Sequence, residues 1–223
     1  MIASSPSHTA FSTQGMIKRR SSDQLFITHT PPHMNFSNNS QTTLVDAGYE
    51  GRPALVLELS RYNTTHTVMR QKGGNDEALY NIESDESLSR TSVFHPTTNV
   101  PIAVLEFKRL LGKDKITLQG EETKNISDWL SGYGPLQTFP ISFKHNGRQY
   151  YWKTNFVNQL GLYTDQDSVH PVAWFERHRL CVIDGVLRTF NAFLAMEEEA
   201  VEIRDLVVVS FLVAERVAHS SVI

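Results

Sequence analysis

Histidines are the residues of this sequence best suited to metal binding or proton transfer, and there are nine of them. A metal-binding or catalytic pair needs a short fixed spacing, such as the His-Glu-x-x-His of a zinc-binding helix, and no such pair occurs. The histidines are instead scattered along the chain: His8, His29, His33, His66, His95, His145, His170, His178 and His219. We therefore predict isolated histidines, with no metal site and no cofactor.

Cys181 is the one cysteine, which excludes an internal disulfide and a cysteine-rich zinc site. It lies in the apolar run Leu180–Ile183, whereas a nucleophilic thiol needs an electropositive and partly exposed setting. We predict that Cys181 is a small buried apolar side chain. The sequence also contains no phosphate-binding loop, dinucleotide-binding glycine pattern or nucleophilic-serine elbow. It therefore offers no catalytic residue, and an enzyme of unrecognised type stays open only as an alternative.

Lysine and arginine side chains are the remaining candidates, because they bind phosphate and other anions. Three of them share one predicted hairpin, and two follow Phe107 directly. The candidate anionic-ligand patch comprises Lys108, Arg109, Lys144, Arg148 and Lys153. Scattered surface charge would give the same sequence, so the patch depends on whether the fold brings the two groups together.

The charge of the chain is slightly negative and unevenly divided. The net charge of −3 excludes the strongly basic surface of most nucleic-acid-binding proteins. Residues 1–45 carry Lys18, Arg19 and Arg20 against Asp23, so they are +2 and the remainder, −3 minus +2, is −5. The longest apolar run, residues 206–214, is shorter than the ~20 residues that cross a bilayer. We predict no nucleic-acid partner and no transmembrane segment.

Residues 1–33 are predicted to be a disordered tail. They are rich in Ser and Thr and show no sustained apolar period, so little surface could be buried against the entropy of ordering. Residues 34–44 are predicted to form a first edge strand. The run 18–22 could be phosphorylated or could bind lipid, although three basic residues are fewer than in the usual lipid-binding cluster. Because no apolar leader follows Met1, we expect an intracellular protein, in the cytoplasm or at a membrane surface.

From Pro53 onward the chain is predicted to be mainly β. Short runs rich in Val, Ile, Phe, Tyr and Trp alternate with turn residues, and Asn146-Gly147 and Asp184-Gly185 mark two tight hairpins. The predicted strands are 54–59, 66–70, 78–83, 91–95, 100–107, 115–118, 139–144, 149–153, 159–163, 172–176, 179–183 and 186–190. About a dozen strands exceed what one open sheet holds without curling, so we predict a sandwich or a closed antiparallel barrel.

The last apolar segment, residues 205–219, is predicted to be a helix. Asp205 suits its start, and Arg216 and His219 suit its end. The segment is apolar on nearly all sides, and such a helix is buried. Its predicted core residues are Leu206, Val209, Phe211 and Val213. A central buried strand is the alternative, since Val favours strands. A buried helix needs a sheet around it, which favours the barrel.

Three segments of the sequence carry a resemblance to a known fold: Gly147-Arg148-Gln149-Tyr150-Tyr151-Trp152-Lys153, Pro171-Val172-Ala173-Trp174-Phe175, and the terminal run 201–216. Together they resemble a fungal family of unknown function in the tubby C-terminal-like superfamily, which includes LURP-one-related proteins and phospholipid scramblases. The resemblance spans residues 34–219 and implies one twelve-stranded barrel around the final helix. It also implies a barrel surface that binds phosphoinositide headgroups, although no tubby headgroup motif occurs.

Three classes of function remain open from the sequence. The first is a non-enzymatic module that binds anionic lipid, such as a phosphoinositide at a membrane surface, or a protein partner. The second is a structural or regulatory scaffold without a small ligand. The third is an enzyme, which ranks last because a barrel filled by its own helix leaves no room for the usual interior pocket.

Overall fold

The structure is a computed structural model that describes residues 53–75, 77–108, 112–134, 139–155 and 158–220. The predicted tail 1–33, the predicted edge strand 34–44, the basic run 18–22 and the candidate patch residue Arg109 lie outside the described residues. All residues described below belong to one unit of the chain, Thr43–Ile223.

The described part of the chain is mainly β, as predicted. Its strands are β1 Leu55–Leu59, β2 Thr67–Gln71, β3 Ala78–Ser84, β4 Arg90–Phe94, β5 Pro101–Glu106, β6 Lys115–Leu118, β7 Lys124–Asn125, β8 Ile141–His145, β9 Arg148–Thr154, β10 Leu160–Thr164, β11 Ala173–Glu176, β12 Arg179–Ile183, β13 Val186–Phe190 and β14 Phe193–Met196. Its helices are α1 Ile126–Trp129, α2 Glu198–Glu202 and α3 Arg204–Ser220.

Both tight hairpins form at the predicted turns. Asn146 and Gly147 have φ of 49° and 79°, and Asp184 and Gly185 have φ of 53° and 74°. Positive φ at both central residues defines the type I′ turn, which Asn-Gly and Asp-Gly favour. In β9 the alternation also holds, because Tyr150 and Trp152 are buried while their neighbours lie on the outer face.

Twelve strands form one antiparallel sheet in the order β7-β6-β5-β4-β3-β2-β1-β14-β11-β10-β9-β8. Strand β14 was not among the predicted strands; it pairs with β1 on one side and with β11 on the other and so joins the two halves of the sheet. All four residues of β14 are buried. Because a strand buried on both faces shows no alternation, its sequence lacks the usual strand signal.

Strand pairing among the described residues does not close this sheet into the predicted barrel. Strands β7 and β8 are its two edges. Because β7 has two residues and the chain then turns into α1, it offers no ladder for β8. The segment after α1 makes one contact with β8: the Ser131 N–H donates to the Ser142 carbonyl and the Ser142 N–H to the Ser131 carbonyl, each at 2.8 Å.

Strands β12 and β13 form a separate two-stranded sheet and are not the barrel strands that the sequence predicted. The reason is that β11 pairs directly with β14, so the intervening residues leave the main sheet as a projecting hairpin. The prediction that Cys181 is buried was wrong, because the cysteine lies in β12 and is only partly buried.

The final apolar segment is a helix rather than a strand, and α3 extends one residue beyond the predicted bounds at each end. Val209, Phe211 and Val213 are buried, and Leu206 is half-buried against the same core. The core contains buried residues from α3 and from thirteen other elements, namely β1 to β6, α1, β8 to β11, β14 and α2. The helix therefore forms the centre of the core.

Strands far apart in the sheet contact α3. The Trp152 Nε1–H of β9 donates to Ser210 Oγ at 3.0 Å. The Phe211 ring centroid lies 6.1 Å from that of Trp152 and 4.6 Å from that of Phe175 in β11. Phe107, which follows β5, lies 4.0 Å from the Arg216 guanidinium. The sheet therefore curves around the helix.

Candidate functional site

The predicted basic residues of the β8–β9 hairpin lie at three different kinds of position. Lys144 is exposed near the end of β8. Arg148, at the start of β9, forms an ion pair with Glu199 of α2 at 2.5 Å. The Lys153 ammonium donates to the Ser168 carbonyl at 2.6 Å and lies 3.9 Å from the centroid of the Tyr163 ring.

The other predicted basic residue that the structure describes, Lys108, lies at the opposite end of α3. It follows Phe107, which packs on Arg216 near the end of the helix, whereas Arg148 contacts Glu199 just before the helix begins. Twelve residues of helix separate these levels by about 18 Å. The structure therefore does not bring the two predicted basic groups together.

Acidic side chains surround the start of α3. Glu197, Glu198, Glu199 and Glu202 lie on or beside α2, and Asp205 is in the first turn of α3. Although Arg148 neutralises Glu199, the local excess of carboxylates repels anions. This end is therefore a poor site for an anionic ligand.

Asp205 also connects α3 to the sheet, in a cluster of side chains that the sequence did not predict. The Tyr80 hydroxyl donates to Asp205 Oδ1 at 2.5 Å, and His95 Nε2 lies 3.3 Å from Asp205 Oδ2. Burial, aided by the hydrogen bond to Asp205, raises the pKa of Tyr80 well above its ordinary value. Tyr80 therefore keeps its proton and continues to donate to Asp205. This hydrogen bond anchors the start of α3 to the sheet, and the negative charge of Asp205 is favourable at the start of a helix.

Exposed apolar side chains collect on residues 179–190, which we call the apolar hairpin. The exposed fractions are 59% for Leu180, 69% for Val182, 58% for Val186 and 64% for Leu187. In the β12–β13 register, Val182 is opposite Leu187 and Leu180 is opposite Thr189, so Leu180, Val182 and Leu187 share one face, whereas Val186, opposite Ile183, lies on the other. Exposed apolar groups that cluster in this way are typical of an interaction surface.

Basic residues flank the apolar hairpin. Arg177 precedes it, Arg179 begins it, and Arg188 lies exposed in β13, whereas Asp184 at the turn is the one acidic residue between positions 177 and 190. Arg177 also binds Glu215 of α3 at 3.3 Å, which fixes the base of the hairpin beside the end of that helix.

A cleft opens at this same end of α3. Its volume is about 290 Å³, and its lining residues are Thr64, Thr65, Thr91, Leu105, Phe107, Leu212, Arg216 and His219. We call it the Arg216 cleft. The loop that carries Thr64 and Thr65 also carries Tyr62, whose ring lies 6.4 Å from that of His178 at the base of the apolar hairpin. The cleft and the hairpin are therefore neighbours.

Glu215, next to the cleft, is a buried carboxylate. It accepts from Arg177 at 3.3 Å and lies 3.0 Å from His219 Nε2. Burial raises the pKa of Glu215 above its ordinary value, and the charges of Arg177 and His219 oppose the shift without reversing it. The ionised form is therefore less favourable in the folded protein than in water.

Glu215→Gln is expected to change the pH dependence of stability. Because the folded pKa lies above the unfolded one, the stabilisation from Glu215 is complete below about pH 4 and is lost as pH rises through the folded pKa. The free energy of unfolding of the unchanged protein should therefore fall relative to that of the variant as the pH rises above about 4. Urea denaturation across this range measures the difference, with Glu86→Gln as the control for net charge. A difference in the free energy of unfolding between the two proteins that stays constant with pH would contradict the raised pKa of Glu215.

Sequence reasoning could have identified part of this site. Arg216 and His219 were noted only as favourable charges at a helix end, and nothing local indicates that Phe107, more than a hundred positions earlier, lies beneath the arginine. The apolar hairpin had a visible signal, since Arg177, Arg179 and Arg188 flank an apolar run. That signal does not show whether the hairpin joins the main sheet or projects from it.

The described part of the chain offers neither a grouped metal site nor a membrane-spanning helix. There, no three His, Cys, Asp or Glu side chains are grouped closely enough to hold a metal ion. Among the described helices, none is long and apolar enough to cross a bilayer.

Comparisons with other proteins relate the chain to one solved structure and to one family. It is similar to a protein of Arabidopsis thaliana with a known X-ray structure, at 14% sequence identity and a TM-score of 0.37, over 70% of this chain and 88% of that one. No curated protein matches the chain. A family model described as a family of unknown function matches residues 59–220, which is most of the sequence. The chain therefore belongs to this family, DUF6593.

Proposed function

We propose that this protein is a non-enzymatic module that binds an anionic lipid surface through the apolar hairpin. The observation that carries the proposal is the exposed face formed by Leu180, Val182 and Leu187, in a hairpin whose opposite face carries Arg179 and Arg188. Phosphatidylserine or phosphoinositide membranes present the matching chemistry, because their negative headgroups overlie an apolar interior.

Both parts of the hairpin contribute to the expected affinity. Full burial of a Val or Leu side chain gains about 1.5–3 kcal/mol, so three side chains that are more than half exposed can together gain several kcal/mol. Arg177 and Arg179 are paired with Glu215 and Glu176, so the electrostatic gain comes mainly from Arg188, which is exposed on the other face of the thin hairpin and can add up to about 1 kcal/mol near an anionic surface. Neither contribution alone gives stable anchoring, and membrane proteins of this kind commonly combine two such signals.

The orientation on the membrane follows from the charges. Asp184 at the tip opposes deep insertion, so the hairpin lies along the surface on its Leu180 face. The acidic start of α3 then points away from the lipid, because the apolar hairpin projects from the opposite end of the molecule. The proposed membrane-binding face is therefore at the other end of α3 from Lys144 and Arg148.

We also infer that the twelve-stranded sheet encloses α3 as a barrel of the tubby C-terminal-like type, closed through the Ser131–Ser142 contact. Support comes from the buried helix, which residues from both halves of the sheet contact. The three sequence segments resembling the fungal tubby-like and LURP-one-related proteins agree with this arrangement. A filled interior places ligand binding at the ends or on the outer surface, which favours a binding module over an enzyme.

Co-sedimentation with phosphatidylcholine vesicles, with and without phosphatidylserine, tests the proposed function. We expect binding only to the anionic vesicles, weakened by salt because exposed charges are screened. Leu180→Asp/Leu187→Asp should weaken binding at least tenfold. The matched control is Val100→Asp/Val169→Asp, which alters two exposed apolar side chains outside the hairpin, 57% and 72% exposed.

Two results would overturn the proposal. One is equal binding by the hairpin variant and the control variant, which would assign binding to another surface. The other is no binding of the unchanged protein at low salt, which would leave a protein partner or a scaffold role as the better explanation of the exposed apolar face.

A further inference from the structure

We propose that two copies of this chain pair along the outer edge of β13, so that their hairpins form one four-stranded antiparallel sheet. The pairing needs no lipid and therefore does not rest on the proposed function. The partner is a second copy because this edge is complementary to itself in its backbone groups, its apolar side chains and its charges.

The outer edge of β13 carries backbone groups that no other strand pairs with. Ile183 and Val186 close the tight turn of the hairpin, so they form a hydrogen-bonded pair. Such pairs alternate with non-hydrogen-bonded pairs, whose N–H and C=O groups point away from the partner strand. Leu187 and Thr189 therefore direct these groups outward, and within the described chain β13 pairs with β12 alone. An open edge of this kind can accept another strand.

Two-fold symmetry leaves few registers for the two β13 strands. Pairing centred on Leu187 sets this residue against its own counterpart in the second copy, with two reciprocal backbone hydrogen bonds. Pairing centred on Arg188 would set the two arginines against each other, and like charges directly opposite destabilise a sheet. Pairing centred on Thr189 would set Leu187 against Asn191. The register centred on Leu187 is therefore favoured.

The favoured register aligns exposed apolar side chains in one row. Val182 lies opposite Leu187 within each hairpin, and the two side chains are 69% and 64% exposed. The row across the dimer therefore contains four apolar side chains in the order Val182, Leu187, Leu187, Val182. Neighbouring apolar side chains across paired strands stabilise a sheet, so the dimer shields part of the surface that a single hairpin exposes.

Charges on the other face of the hairpin are complementary in the same register. Arg188 lies opposite Val186 of the second copy, and Asp184 precedes Val186 by two positions, within diagonal reach of the arginine. Arg188 and Asp184 are both exposed. Symmetry gives two such Arg188–Asp184 contacts, one from each copy.

The size of the contact determines its expected strength. Two five-residue strands bury less than the ~1,200 Å² of a small standard interface, so we expect a weak dimer that depends on protein concentration. Because directly opposite residues share a face, the Leu180 faces of both copies point to the same side. On a membrane, the two faces would reinforce each other's binding.

Disulfide trapping of single-cysteine variants tests the pairing and its register without lipid. In a Cys181→Ser background, Leu187→Cys places two thiols directly opposite each other, with Cα atoms about 5.5 Å apart, which suits a disulfide. Oxidised glutathione should then trap a covalent dimer. Thr189→Cys on the same edge places the thiols about 13 Å apart along the strands. This control, and Leu180→Cys on the edge of β12, should give at least fivefold less covalent dimer.

Sedimentation velocity over a concentration series in lipid-free buffer measures the dimer without a cross-link. Leu187→Pro removes the outward N–H of the proposed contact and should weaken association at least tenfold. The matched control Leu180→Pro removes an outward N–H from the edge of β12 and should associate like the unchanged protein. Circular dichroism checks folding. If Leu187→Pro does not fold, Arg188→Glu should weaken association by repulsion from Asp184, with the exposed Arg90→Glu as its control.

Three results would overturn the inference. They are equal trapping at positions 180, 187 and 189, an unchanged protein that stays monomeric at every concentration, and equal association of the edge variant and its control. Hairpin-dependent vesicle binding by a protein that stays monomeric overturns only the dimer. Dimerisation of a protein that does not bind vesicles overturns only the proposed function.

Discussion

Phe211→Asp is expected to unfold the described domain. Phe211 is fully buried in α3 and packs against Trp152 and Phe175. Removing the ring costs about 3–5 kcal/mol, and an unpaired carboxylate in its place costs several more kcal/mol or forces the group to stay protonated. Together these losses equal most of the ~5–15 kcal/mol that stabilises a typical domain. Thermal denaturation followed by near-ultraviolet circular dichroism measures the loss.

Phe211→Leu separates charge from volume in this experiment. It keeps an apolar side chain at the same position and should cost only about 1–3 kcal/mol, so a cooperative transition should remain. If Phe211→Asp melts cooperatively near the temperature of the unchanged protein, then α3 is not the centre of the core.

Gly132→Ala is the substitution expected to report on the contact between the two edges of the sheet. Gly132 has φ of +84°, and a Cβ built there would lie 2.3 Å from the Pro140 carbonyl oxygen, just before β8. The neighbouring Ser131 makes the backbone contact to Ser142. The methyl group therefore forces the two segments apart, adding about 1–3 kcal/mol of overpacking to about 1–2 kcal/mol for positive φ.

Gly120→Ala is the matched control for backbone conformation. Gly120 has φ of +78°, but a Cβ there meets no atom within 4 Å. Urea denaturation should therefore show a clearly smaller loss for Gly120→Ala than for Gly132→Ala. Equal losses would mean that the approach of the Gly132 segment to β8 contributes nothing to stability, which would contradict closure of the sheet through the Ser131–Ser142 contact.

Elements whose signal lies within a few neighbouring residues could be predicted from the sequence. Elements that depend on contacts with distant residues could not. The Asn146-Gly147 and Asp184-Gly185 turns were predictable because two residues determine the turn type. The helix α3 was predictable because its apolar run exceeds the length of an ordinary strand. In contrast, β14 has no local signal, since burial on both faces removes the alternation that marks a strand.

The position of β12 and β13 could not be deduced, because an alternating hairpin has the same sequence whether it joins a sheet or projects from it. The hairpin stays outside the main sheet because β11 pairs directly with β14, a contact that the sequence of the hairpin does not encode.

The candidate site was harder to predict than the fold because it depends on distances along α3. Lys108 and Arg148 are both basic, but nothing in either local sequence indicates that they lie about 18 Å apart along the helix axis. The pairing of Arg148 with Glu199 is likewise a tertiary contact. The stacking of Arg216 on Phe107 joins two residues that only the folded chain brings together.

An environment-sensitive fluorophore on Val182→Cys in a Cys181→Ser background gives the most direct measurement of membrane contact by the apolar hairpin. Val182 is 69% exposed and shares a face with Leu180 and Leu187, whereas Cys181 lies on the opposite face of the hairpin. The control carries the same label on Val100→Cys in the same background, at an exposed position outside the hairpin. On phosphatidylserine vesicles, the label at position 182 should shift to shorter wavelength and brighten while the control stays unchanged. If the labelled protein sediments with the vesicles and the emission from position 182 does not change, the hairpin is not the membrane-binding surface.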